Sequence, residues 1–153
     1  MILLNKTIKN IKMKLFLFTL LIITACNFSY SQCTSDAFVD KCAEGLSDYT
    51  YVKLYEVATT KKENVVNYSV IFNKDHEYLL IICYDTKNTT KKMVVNLLDR
   101  NKKLIQSSYY EPKKLHVSKI AYKCAATGVY YLEASFEDNT ESCGTVILGF
   151  KKL

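Results

Sequence analysis

Residues 78–84 read YLLIICY, an apolar and aromatic run without a charged member. A short continuous run of this kind is typical of a strand that is buried on both faces. Residues 93–98 read MVVNLL and have a similar character, so they predict a second such strand. These two runs place a β-sheet at the centre of the predicted fold.

Other segments alternate apolar and polar side chains, as strands with one buried face do. Residues 65–72 are the clearest case, because Asn67 and Ser69 interrupt their apolar positions. No helix-length amphipathic stretch lies between the strands, which argues against a parallel βαβ architecture. We predict an all-β fold, an antiparallel β-sandwich of jelly-roll type with about eight strands. Shorter strands are predicted at residues 103–107, 115–122, 129–136 and 145–150.

One short helix is predicted at residues 35–46, before the first strand. Ser35 can cap its first turn, and Gly45 is expected to end it. Apolar side chains recur at helical spacing at Phe38, Val39, Cys42 and Leu46.

The first residues resemble a secretory signal peptide, with a lysine-containing start and the apolar run LFLFTLLIITA at residues 15–25. This run is shorter than the ~20 residues that a membrane-spanning helix needs. Ser29-Tyr30-Ser31 before Gln32 fits ordinary cleavage. We expect residues 1–31 to be removed, and residues 32–153 to form a single β-sandwich domain.

The signal peptide also contains a second possible cleavage site. Residues 23–26 read ITAC and match a bacterial lipobox, in which Cys26 would carry lipid. Lipidation would tether the protein to a membrane, whereas ordinary cleavage would release it. Met13, followed by Lys14, is an alternative start of the signal. A secreted, cell-surface or periplasmic location is expected in each case.

The charge of the chain is concentrated in the signal. The sequence has 21 basic and 15 acidic residues, and the four lysines before Gln32 leave 17 basic residues in the mature part. A nearly balanced mature chain argues against nucleic acid as a partner.

Five cysteines follow the signal, and an oxidising destination makes disulfides the expected state. We expect Cys33 and Cys42 to pair and to tie down the N-terminal segment 33–47. Cys83–Cys143 and Cys124–Cys143 are both possible for the others, and the odd count leaves one thiol free or paired with another chain. No C-x2-C spacing is present, so no metal site is expected.

Tyrosine gives the best indication of a binding surface, since the sequence has 12 tyrosines and no tryptophan. Strand alternation places Tyr49, Tyr51 and Tyr55 on one side of the first strand, and Tyr109 and Tyr110 lie in a predicted loop. Tyrosine is frequent on recognition surfaces, so these five are the candidate ligand-binding residues. The alternative is that they only cover one face of the sandwich. Core positions are expected for Tyr78, Tyr84, Tyr122 and Tyr130.

Catalytic residues are not apparent. The two histidines, His76 and His116, stand apart in the sequence, the first in a polar turn and the second on the exposed side of a strand. We therefore expect no catalytic residues, no enzymatic activity and no cofactor. A pocket that gathered either histidine with a carboxylate would favour a small hydrolase instead.

The order of segments from Val66 to Phe136 resembles the bacterial pre-peptidase C-terminal (PPC) domain. The matching blocks are VNLLDRNKKL at residues 95–104 and the block of residues 125–134, AATGVYYLEA. The resemblance implies an extracellular β-sandwich of jelly-roll type that acts as a binding or accessory module. The chain also resembles small secreted five-cysteine proteins of Bacteroidetes.

These observations lead to a functional expectation with one alternative. The first is a non-catalytic, secreted or surface-tethered module that binds an extracellular polysaccharide or protein through loops or a tyrosine-lined face. The alternative is a secreted or periplasmic inhibitor or accessory subunit that docks on an enzyme.

Overall fold

The computed structural model describes residues 36–85, 91–137 and 141–153, all within one compact unit that spans Cys33–Leu153. The predicted signal peptide, Cys26 and Cys33 lie outside the described residues. Within those ranges, no helix combines the length and the apolar character that a membrane span requires. The helix α1 (Asp36–Ala43) comes first and continues into a 3-10 turn at Glu44–Leu46. The strands are β1 (Thr50–Thr59), β2 (Val65–Phe72), β3 (His76–Tyr84), β4 (Met93–Leu98), β5 (Leu104–Ser107), β6 (Tyr109–Tyr110), β7 (Leu115–His116), β8 (Lys119–Cys124), β9 (Gly128–Phe136) and β10 (Ser142–Lys152).

Eight strands form two four-stranded antiparallel sheets. The covered sheet has the order β1-β10-β3-β8 and the open sheet has the order β2-β9-β4-β5. The pairs β1–β10, β2–β9, β3–β8 and β4–β5 are those of one long hairpin folded over on itself, which is jelly-roll topology. The predicted fold class is therefore confirmed. Strands β6 and β7 form a separate ribbon in the connection between the two sheets.

The core lies between the inner faces of the two sheets. Phe72 of β2 stacks on Tyr78 of β3 with ring centroids 3.8 Å apart. Tyr78 and Tyr130 are buried, and Tyr84 and Tyr122 pack against the same core, as predicted. The largest fully buried side chains are Phe72, Leu80, Met93, Leu97, Ile120, Leu132, Ile147 and Leu148.

Strand β3 is buried on both faces, as its continuous apolar run predicts. Tyr78, Leu80 and Ile82 face the core, while Leu79 and Ile81 pack under the N-terminal segment. Strand β4 differs, because Met93, Val95 and Leu97 are buried but Val94 and Asn96 are only half-buried. The prediction that β4 resembles β3 is therefore wrong, since the described N-terminal segment packs only on the covered sheet.

The helix is found, but its ending differs from the prediction. It gives way to the 3-10 turn at Glu44, and Gly45 has a negative φ, so this glycine does not act as a left-handed cap. A Cβ at Gly45 would lie 3.2 Å from Ile81 Cδ1 and from Lys119 Nζ. Gly45 therefore serves a close approach to the covered sheet, where Lys119 Nζ donates to its carbonyl oxygen at 3.0 Å.

The predicted disulfide pairing is wrong. Cys42 is bonded to Cys83, with a Cα–Cα distance of 6.2 Å, and not to Cys33. Cys83 belongs to the outward-facing set of β3, directly under the helix that carries Cys42. Cys143 is disulfide-bonded as well, but neither to Cys83 nor to Cys124. Cys124 is a buried free thiol, because its side chain points into the core between the sheets.

Candidate functional site

The predicted tyrosine face on β1 does not form. Register against β10 shifts between Tyr51 and Lys53, so Val52 is an extra residue and the alternation changes side there. Tyr55 is consequently in the core at 5% exposure, while Tyr51 is 57% exposed. Tyr49 is half-buried and donates its hydroxyl to Glu77. The three tyrosines therefore have three different environments.

Tyr109 and Tyr110 lie in the ribbon instead of a loop. Tyr109 pairs with His116, and their ring centroids are 4.5 Å apart. Tyr110 pairs with Leu115, and these two side chains are 53% and 52% exposed. Tyr109 is therefore a packing residue, and Tyr110 is the exposed member of the pair.

His116 is half-buried, whereas the sequence predicted an exposed side chain. Its side chain is 10% exposed, and Nε2 lies 2.9 Å from Oε1 of Glu137. The structure thus brings one histidine to a carboxylate, whereas His76 lies at the other end of the sandwich, where Nδ1 is 2.9 Å from the carbonyl oxygen of Lys74. His116 Nδ1 is buried without a hydrogen-bond partner among the described residues.

The outer face of the open sheet presents two regular rows of side chains. Cross-strand register aligns four polar residues from β2 to β5, and the neighbouring row contains one aromatic and two aliphatic side chains. Directly paired side chains are ~5 Å apart, so each row extends about 14 Å across the strands. The polar row is Asn67, Glu133, Asn96 and Ser107, and the mixed row is Ser69, Tyr131, Leu98 and Leu104.

A shallow cavity of about 560 Å³ lies over these rows. Its size is in the range of known small-molecule and cofactor sites. Tyr131 and Glu133 are half-buried, whereas Asn67 and Ser69 are exposed on the edge strand β2. The complete lining is Asn67, Tyr68, Ser69, Leu98, Lys102, Tyr131 and Glu133.

The turn between β4 and β5 forms one wall of this cavity. Asp99 Oδ1 accepts the backbone N–H groups of Asn101 and Lys103, both at 2.8 Å. Lys102 has a φ of 60°, and its backbone N–H donates to the carbonyl oxygen of Asp99 at 2.9 Å. These bonds fix the backbone of Lys102, and its ammonium lies 5.7 Å from the ring centroid of Tyr131. A left-handed conformation in a residue other than glycine is held by its surroundings and is frequent at functional sites.

A second cavity of about 210 Å³ lies on the other side of the same turn. Asp99 and Arg100 line it from the turn, Thr127 lines it from the connection between β8 and β9, and Tyr130 lines it from β9. The turn therefore presents Lys102 to the larger cavity and Arg100 to the smaller one.

Sequence reasoning missed most of this surface. Asn67 and Ser69 mark the polar face of one predicted strand, and Tyr131 and Glu133 lie in the predicted strand 129–136, but their pattern does not indicate that the two strands share an open surface. The signal was present in the alternation of β9, where the outward positions carry an aromatic ring and a carboxylate. What the sequence did not show is which outer face stays open, because that depends on where the helix packs.

Comparison with known proteins does not assign the chain to a group. No protein-family model matches the sequence, and no curated protein matches it significantly.

Proposed function

We propose that this protein is a non-catalytic binding module that recognises an extracellular glycan on the outer face of the open sheet. The observation that carries the proposal is the half-buried ring of Tyr131 beside a row of hydrogen-bonding side chains, within a cavity of about 560 Å³.

A sugar ring matches such a surface in its chemistry. It has an apolar C–H face that can stack on an aromatic ring, and hydroxyl groups around its edge that need hydrogen-bond partners. Tyr131 supplies the first, and Asn67, Ser69 and Glu133, which line the same cavity, supply the second. The cavity is open and lies across the strands, so an extended chain of several sugars fits it better than an enclosed small molecule.

Independent observations support an extracytoplasmic location for this protein. The N-terminal segment resembles a signal peptide, and the disulfide between Cys42 and Cys83 is typical of an oxidising, extracytoplasmic compartment. We propose secretion with cleavage after Ser31, or tethering to a membrane if Cys26 is lipidated. The PPC-like blocks support the same extracellular role.

The test is binding of the mature protein to a panel of soluble polysaccharides, measured by retardation in native gels that contain each polysaccharide. Truncation of a central aromatic contact removes on the order of 2 kcal/mol or more, so Tyr131→Ala is expected to weaken binding at least about thirtyfold. Tyr51→Ala is the matched control, because Tyr51 is an exposed tyrosine on the covered sheet. Retardation of the Tyr131→Ala variant equal to that of the wild type, or no retardation of the wild type by any polysaccharide, would overturn the proposal.

The alternative is an inhibitor or accessory subunit that docks on an enzyme, and its specific support is the ribbon. Tyr110 and Leu115 form an exposed apolar pair there, and Val117 is exposed beside it. A Tyr110→Ser/Leu115→Ser variant that lost capture of an extracellular enzyme, while Tyr131→Ala kept it, would favour this alternative.

A further inference from the structure

We infer that the glycan is anionic and that its acidic groups point to the turn between β4 and β5. This inference rests on the proposed function, because it names the ligand class of the same site. It follows from the charges around the cavity and from how each is held.

The two cations of the turn are available to a ligand. Lys102 lines the larger cavity and Arg100 lines the smaller one, so the two charges stand on opposite sides of one turn. Both side chains are exposed, and neither forms an ion pair within the described part of the chain. A chain that passes from one cavity to the next would therefore meet an unpaired cation in each.

Lys102 also lies close to the aromatic ring. Its backbone is held by Asp99, and its Nζ lies 5.7 Å from the centroid of Tyr131. A sugar that stacked on Tyr131 would displace this ammonium from the ring face and leave it beside the ring substituents of the sugar. A carboxylate or sulfate on that sugar would gain a charge-assisted hydrogen bond.

The two acidic residues of the surface do not oppose this arrangement. Asp99 uses Oδ1 to accept two backbone N–H groups, so its charge already stabilises the turn. Glu133 belongs to the polar row, whereas Lys102 lies over Tyr131 of the mixed row. A carboxylate in the polar row accepts hydrogen bonds from sugar hydroxyls. The surface therefore orients an acidic sugar, with hydroxyl groups toward Glu133 and the anionic group toward Lys102.

The experiment compares polyanions with uncharged forms of the same backbone. We would titrate the mature protein by calorimetry with polygalacturonate and its full methyl ester, and with hyaluronan and its carboxyl-reduced form. The acidic member of at least one pair is expected to bind more tightly, and added salt should weaken only that member.

Substitutions in the turn between β4 and β5 test whether its two cations cause the preference for the acidic glycan. Lys102→Gln and Arg100→Gln are each expected to weaken binding of the acid about threefold, and the double variant about tenfold, with no change for the uncharged form. Lys62→Gln is the matched control, because Lys62 is an exposed lysine in the β1–β2 connection. Glu133→Gln should tighten binding of the acid, because the amide oxygen still accepts hydrogen bonds and a like charge is removed.

Two other outcomes would contradict either the anionic ligand alone or glycan binding as a whole. Equal binding of both members in every pair, or binding of uncharged glycans alone, with Tyr131→Ala still deficient, would overturn this inference and leave the proposed function standing. Absence of binding to every glycan would overturn both.

Discussion

Tyr49 donates its phenolic hydrogen to Oε1 of Glu77, and Lys151 Nζ lies 4.4 Å from the centre of the Tyr49 ring. The same ammonium is 3.3 Å from Asp48 Oδ2 and 3.8 Å from Glu77 Oε1. Burial, and next the neighbouring Glu77, raise the pKa of Tyr49, so its hydroxyl stays a donor. The N-terminal segment is thereby fastened to β3 and β10, and Tyr49 is part of this connection.

Tyr49→Phe is expected to destabilise the fold without affecting glycan binding. Loss of one hydrogen bond to a charged, partly buried acceptor should lower the free energy of unfolding by about 1–2 kcal/mol. Urea unfolding, followed by circular dichroism, measures this change. The control is Tyr51→Phe, because Tyr51 is more than half exposed. Unchanged stability together with lost glycan binding would return Tyr49 to the binding site.

Asp48 should contribute stability only at neutral and mildly acidic pH. A backbone hydrogen bond, and next the Lys151 ammonium, hold the pKa of Asp48 below its usual value of 3.8. A carboxylate whose pKa is depressed by folding adds stability above its unfolded pKa, and this stability is lost as the pH falls through the folded value. Wild type and Asp48→Asn should therefore differ slightly at pH 7 and converge below about pH 4. A difference that persists or grows in acid would contradict the assignment.

The close contact between the N-terminal segment and β10 predicts that one added methyl group at Gly149 destabilises the fold. A Cβ at Gly149 would lie 2.5 Å from Leu46 Cδ2 and 3.1 Å from Tyr49 Cβ, so Gly149→Ala must displace the segment. We expect a loss of about 1–3 kcal/mol in the free energy of unfolding. Gly128→Ala is the matched control, because nothing lies within 4 Å of the added Cβ. Its φ is not positive, so equal or slightly higher stability is expected.

The cysteine assignment can be tested by thiol counting and by stability. Cys42 and Cys83 are 41 residues apart. In the chain-entropy model, opening a loop of this length lowers the free energy of unfolding by roughly 4 kcal/mol. The Cys42→Ser/Cys83→Ser variant should therefore unfold at lower urea concentration. Cys124→Ala should lack one thiol that the wild type shows with a thiol reagent only after denaturation. A native protein whose Cys124 reacts at once would contradict its burial.

Much of the fold was predictable because the spacing of apolar side chains along a strand indicates which of its faces are buried. The continuous apolar run of β3 predicted cover on both faces, and the alternation in β2 predicted one buried face; both are observed. The environments of the β1 tyrosines were not predictable, since a single extra residue at Val52 reverses the alternation and sends Tyr55 into the core. The periodicity of the sequence does not reveal such a bulge, because a tyrosine side chain is compatible with both a buried and an exposed position.

The amino-acid sequence alone determined the all-β class, the short N-terminal helix and the strands of the core, because these depend on local pattern. Tertiary structure decided which cysteines meet, since Cys42 and Cys83 become neighbours only when the helix packs on the covered sheet. It also decided which face stays open, and therefore brought Tyr131, Glu133 and Lys102 together from separate segments. Disulfide partners and binding surfaces depend on contacts between residues distant in the chain, and those contacts exist only after the sheets have assembled.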